Sequence, residues 1–110
     1  MSGESLPRRG EVWWVRVDKR RPAIVVQTDL VREPRVTSFL VVPLTSRVHL
    51  EGLPGNIRMP RRSTRLPRAS VANVYDVQKV LRPDFLECLT ALPARDVSAV
   101  DDGLRLVFNL

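Results

Sequence analysis

Residues 11–27 read EVWWVRVDKRRPAIVVQ, and this stretch sets the fold class. Glu11–Val17 concentrates β-branched and aromatic residues, the composition strands prefer. Ala23–Gln27 repeats that composition behind Pro22, a residue that can open a strand but not sit inside one. Only Asp18, Lys19, Arg20 and Arg21 separate the two runs, so an antiparallel hairpin is the simplest connection. Trp13 and Trp14 are adjacent and must point to opposite faces of their strand. One belongs in a core; the other needs a helix, a loop or a second copy of the chain to cover it.

Outward from the hairpin, short strands continue. Thr28–Arg35 is polar and broken by Pro34, a loop. Val36–Leu44 is a third strand, with Pro43 ending it or marking an edge or bulge. Ser46–Leu66 is irregular, punctuated by Gly52, Pro54, Gly55 and Pro60, with room for a short strand at Asn56–Met59. Ser70–Val80 reads as a longer strand whose imperfect alternation calls for a bend. Asp84 is placed to cap one turn over Phe85–Cys88. The period then changes: Val97, Val100, Leu104, Val107 and Phe108 form one stripe of a helix over Ala94–Phe108, with Pro93 at its start. Gly103 inside that helix costs about 1 kcal/mol relative to alanine, which hints at close packing. The expectation is a mainly β domain with a C-terminal helix (α+β): a small SH3-like β-barrel carrying a helix. The 110 residues fit one domain, with residues 1–8 as a flexible leader and 9–110 as the folded unit.

Composition narrows the function. Hydrophobic residues make up 44% and charged residues 27% of the chain, which is globular rather than disordered. Met1–Arg9 has no apolar run behind it and no stretch approaches a membrane span, so a soluble intracellular domain is expected. The 18 Lys and Arg against 12 Asp and Glu give +6. Residues 1–68 hold fourteen of the cations and six of the acids, net +8; residues 69–110 hold four and six, net −2. Arginine matches phosphate oxygens bidentately, so a basic first part points to a polyanion. One histidine, His49, excludes an imidazole acid–base pair within the chain and is expected in a solvated loop. Single Cys88, expected to pack among Leu86, Leu89 and Leu92, excludes an internal disulfide or Cys-rich zinc site. No metal-binding or glycine-rich phosphate motif is present.

Arginines and hydroxyls remain. Arg20-Arg21-Pro22 opens the second strand and Pro43-Leu44-Thr45-Ser46-Arg47 closes the third. In one sheet these ends would share a rim, near the basic run containing Arg58, Arg62 and Arg65. Guanidinium plus hydroxyl suits cleavage of an RNA phosphodiester, because the substrate's own 2′-hydroxyl attacks. Strand-end capping by Arg21 and Thr45 is the plain structural alternative.

In order, Arg9-Gly10-Glu11-Val12-Trp13-Trp14-Val15, Arg21-Pro22-Ala23-Ile24-Val25-Val26, Val41-Val42-Pro43-Leu44-Thr45-Ser46-Arg47 and Ser70-Val71-Ala72-Asn73-Val74 resemble the MazF/PemK toxins, over about residues 9–110. The resemblance implies an SH3-like barrel of the MazF/CcdB type and a homodimer. It also implies a cytoplasmic toxin held by a cognate acidic antitoxin, and a cofactor- and metal-independent endoribonuclease. Such an enzyme cuts single-stranded RNA at a defined sequence, leaving a 2′,3′-cyclic phosphate and a 5′-hydroxyl. By that likeness Arg21 serves proton transfer and transition-state charge, Thr45 bonds the reacting phosphate, and Ser46 and Arg47 line the same groove and bind RNA; Arg20, Arg58, Arg62, Arg65, Gln78 and Lys79 are the further RNA-binding candidates. Two departures stand out. Many relatives have a longer, glycine-containing loop where this chain has Asp18–Arg21. They often show Gln-hydrophobic-Arg-Thr where it has Asp76-Val77-Gln78-Lys79; an acid facing the groove would repel phosphate. CcdB-like toxins, which share the architecture and bind DNA gyrase, give an alternative function, as does a silenced RNA-binding relative.

Overall fold

A computed structural model describes residues 6–31 and 33–110 of the chain. In chain order the elements are β1 (Glu11–Arg16), β2 (Arg20–Val25), β3 (Ser38–Thr45), β4 (Ile57–Met59), α1 (Arg61–Thr64), β5 (Ser70–Ala72), β6 (Gln78–Leu81), β7 (Phe85–Ala91) and α2 (Ala94–Phe108). Single turns of 3₁₀ helix at Val48–Gly52 and Arg82–Asp84 join some of them. No helix is long and apolar enough to cross a membrane among the described residues.

The expected hairpin forms, and it is tight. Arg16 pairs with Arg20 and Val12 with Ile24, so Arg20 and Arg21 belong to β2 and only Val17, Asp18 and Lys19 make the turn. β3 lies antiparallel to β2 and shares its other edge between two partners. Its first half pairs with β6, Val41 opposite Gln78, and its end pairs with β5, Leu44 opposite Ala72. The single strand expected over residues 70–80 is therefore two. Between them the chain leaves the ladder opposite Pro43, which has no N–H to offer; the Pro43 carbonyl still accepts from Asn73 N at 3.0 Å. The sheet runs β4-β5-β3-β2-β1-β7. It curls like a barrel but stays open, with β4 and β7 as unjoined edges.

Both faces of this sheet bury side chains, which is why β1 is apolar at successive positions. Val12 and Trp14 face a core with Ile24, Val42, Leu44, Met59 and Val100, on which α2 lies through Val97, Leu104 and Val107. Trp13 and Val15 face a second cluster with Val25, Val41, Val80 and Phe85, where Trp13 and Phe85 meet edge to face at 5.6 Å. Gly103 is buried, and a Cβ there would lie 2.1 Å from the Gly55 carbonyl oxygen. Helix α2 thus approaches the Gly55 turn backbone to backbone, the close packing its glycine hinted at. Arg9 donates bidentately to Asp101 and through Nε to the Val26 carbonyl at 3.1 Å, tying the start of the domain to α2.

Several expectations change. Phe85–Cys88 is the start of β7, not a helical turn, because these residues pair with the free edge of β1, Cys88 opposite Trp13. A non-local edge outweighs local propensity. On that edge strand Cys88 is exposed, not buried; partial desolvation and the nearby Glu11 carboxylate push its thiol pKa up. Phe108 is 55% exposed and leaves the helix stripe. His49 is exposed, as expected. Of the leader at 1–8, residues 1–5 lie outside the described residues, and Pro7 is buried.

Candidate functional site

Strand register alone brings the two motifs together. Ala23 pairs with Pro43; beyond that last pair the start of β2, with Arg21, and the end of β3, with Thr45, both line one cleft. A cleft of about 600 Å³ opens there. Trp14, Leu44, Leu50 and the segment Leu66–Ser70 are among its lining. Lys19, Arg20, Arg21, Arg47 and Arg68 line it against one lining acid, Asp76, so its field favours an anion.

Arg21 does not point freely into this space. Its Nε and Nη2 donate to the two Asp18 oxygens at 3.0 and 3.2 Å. The guanidinium holds the Asp18 carboxyl at a pKa of about 2, below its ordinary 3.8. The carboxylate in turn raises the pKa of Arg21, with a smaller contribution from Asp76. Thr45 Oγ1 accepts from the Arg47 backbone N–H at 3.1 Å, a turn that sets the direction of the chain through Ser46. Arg20 lies over the Trp14 ring, 4.4 Å from its centroid, and reaches Glu87 at 3.4 Å. The second tryptophan is thus covered partly by the chain's own arginine. Ser70, at the edge of β5, is buried with a hydroxyl that has no protein hydrogen-bond partner among the described residues.

Of the residues singled out from sequence, Arg20, Arg21, Thr45, Ser46 and Arg47 meet in the cleft. Arg58 stands outside it on β4, within 3.6 Å of Glu51. Arg62 and Arg65 are exposed on and just after α1. Lys79 on β6 is exposed outside the cleft; Gln78 spends its amide on Asp76, at 2.9 Å. Asp76 does face the groove, the disposition that its departure from the family pattern made a concern. Trp14, Lys19, Arg68, Ser70 and Asn73 were not singled out for the site. For Trp14 the signal was present in the adjacent tryptophans, since one ring had to be covered. Leu66–Ser70 carried none, because only the pairing of β5 with β3 carries it across to Thr45. No cluster of three or more His, Cys, Asp or Glu side chains that could hold a metal occurs among the described residues.

Comparison with known proteins agrees with this fold. Residues 8–108 match the model of the PemK-like, MazF-like toxins of type II toxin–antitoxin systems. The chain is 34% identical to endoribonuclease MazF6 of Mycobacterium tuberculosis over 110 aligned residues, covering 93% of this chain and 96% of that one. Among solved structures, the Mycobacterium tuberculosis toxin MazF-mt6 superposes with a TM-score of 0.80 at 24% identity, over 91% of this chain and 97% of the other. An endoribonuclease in complex with its cognate antitoxin from a mycobacterial species gives 0.79 at 17% identity, over 94% and 96%. The family match spans nearly the whole chain and its residues include both rims of the cleft: this chain belongs to the PemK-like, MazF-like toxins of type II toxin–antitoxin systems.

Proposed function

We propose that the chain is a sequence-specific endoribonuclease that cleaves single-stranded RNA without a metal, leaving a 2′,3′-cyclic phosphate and a 5′-hydroxyl. The observation that carries this is that Arg21 and Thr45 line the same cationic cleft. In the reaction the 2′-oxygen of the substrate bonds to phosphorus, the bond to the 5′-oxygen breaks, and a proton moves from the first oxygen to the second. Charge accumulates on the phosphoryl oxygens as phosphorus becomes pentacoordinate. Arg21, a guanidinium that stays protonated at any working pH, meets that charge and donates hydrogen bonds to it. To do so it exchanges Asp18 for phosphate, one bidentate acceptor for another. Thr45 holds the same phosphate. Arg20, Ser46 and Arg47 hold the adjoining backbone.

The same reading makes the chain a cytoplasmic homodimer restrained by an acidic antitoxin segment that competes for the cationic cleft. A sedimentation experiment showing only monomer at micromolar concentration would remove the dimer. The function is tested by digesting RNA in EDTA and mapping the ends. Cyclic-phosphate ends at a recurring short sequence, absent with Arg21→Ala and Thr45→Ala, are expected. Intact RNA from folded protein, with toxicity kept by both variants, would move the assignment to binding of a target such as gyrase.

A further inference from the structure

Residues 61–68 form a strap from the end of β4 to the cleft, and its charges remain unused. No acid occurs from Gly52 to Tyr75. Within the strap Ser63, Thr64 and Leu66 are buried, while Arg62, Arg65 and Arg68 recur every third residue and are exposed. Arg61 is committed to the Pro67 carbonyl at 3.3 Å. The other three have no carboxylate within salt-bridge distance among the described residues, in contrast to Arg9, Arg20, Arg21, Arg35, Arg58 and Arg105.

The strap is built to hold its shape. Arg65 sits in the left-handed region at φ 62°, uncommon for a residue with a side chain, and its N–H closes on the Arg61 carbonyl at 2.8 Å. Thr64 Oγ1 accepts from Leu66 N at 3.2 Å inside the buried face. Nothing apolar and large is exposed between Leu53 and Tyr75. A protein partner would want an apolar anchor there; a polyanion needs none. Arg68 also lines the cleft, so the row of free cations leads out of the site itself.

We propose that Arg68, Arg65 and Arg62 form a phosphate rail that holds the single-stranded RNA flanking the cleaved step, independently of its sequence. The proposal rests on the reading of the cleft as an RNA site, and it makes affinity depend on substrate length. Each phosphate contact to a single strand contributes about 0.7 to the slope of log affinity against log salt.

The test is the salt dependence of binding, with a long single-stranded RNA and with an oligonucleotide that spans only the cleft. Arg62→Gln/Arg65→Gln should lower the slope on the long RNA by about 1.4 and weaken binding near 0.1 M salt by roughly 25-fold. The short oligonucleotide should bind unchanged. Arg62→Lys/Arg65→Lys should keep the slope, and Arg95→Gln, exposed on α2, should change neither. An unaltered slope on the long RNA, or an equal loss on both RNAs, overturns the rail. So does intact RNA binding combined with loss of an acidic peptide. Because binding is measured apart from cleavage, a wild-type protein that binds but does not cut fails the enzyme reading and not this one.

Discussion

The cleft and the seam under α2 are built on opposite terms. In the cleft the candidate groups are polar or charged and at least partly exposed, and its ion pairs, Arg21 with Asp18 and Arg20 with Glu87, have solvent around them; such pairs contribute little to stability. At the seam, Gly103 meets Gly55 backbone to backbone and no side chain fits between. One region tolerates substitution structurally and not chemically. The other should do the reverse, which separates a loss of activity from a loss of fold.

The largest effect belongs to the cleft. Arg21→Ala should lower RNA cleavage by about 10²–10³-fold, the size of losing one charge-stabilising donor, with thermal unfolding nearly unmoved. A large drop in melting temperature would break the contrast. Next comes the seam: Gly103→Ala should destabilise by about 1–3 kcal/mol in urea unfolding, the usual cost of overpacking, despite its better helix propensity. Cleavage per folded molecule should persist. A neutral or stabilising Gly103→Ala would show that α2 can slide off the Gly55 turn.

A smaller effect tests the clasp that ties the domain start to α2. Arg9 and Asp101 are both partly buried, with side chains 31% and 23% exposed. A double-mutant cycle of Arg9→Ala and Asp101→Ala should give a coupling of about 1 kcal/mol, falling with salt. The smallest concerns pH. Asp18 has its folded pKa lowered from 3.8 to about 2, so its contribution is complete above the unfolded value and fades as pH falls through that window. Asp18→Asn should flatten the acid limb of stability there and leave the slope above about pH 5 unchanged. A change of slope at neutral pH would mean that another group titrates with it.

Local patterns carried the hairpin, α2 with its apolar stripe, and the Arg21 and Thr45 motifs, because each is fixed by neighbours in sequence. β7 was not legible: Phe85–Ala91 has mixed propensities and becomes a strand only because β1 has an edge to fill. Cys88 followed it, since a residue on an exposed edge strand is not a core thiol whatever leucines flank it. The two-part path of β5 and β6 was half legible, the broken alternation predicting a bend but not that both halves would share β3.

Residue chemistry by itself determined that the chain is a small β domain with a terminal helix and a surplus of arginine suited to phosphate. Only the tertiary structure decided which arginines stand together. Pairing of β2 with β3 brings Arg21 and Thr45 to one cleft, and pairing of β5 with β3 brings Arg68 alongside. The same folding turns Arg58 toward Glu51 and leaves Lys79 out of the cleft. The physical reason is that strand pairing joins residues distant in sequence through backbone hydrogen bonds, which every residue but proline can make alike.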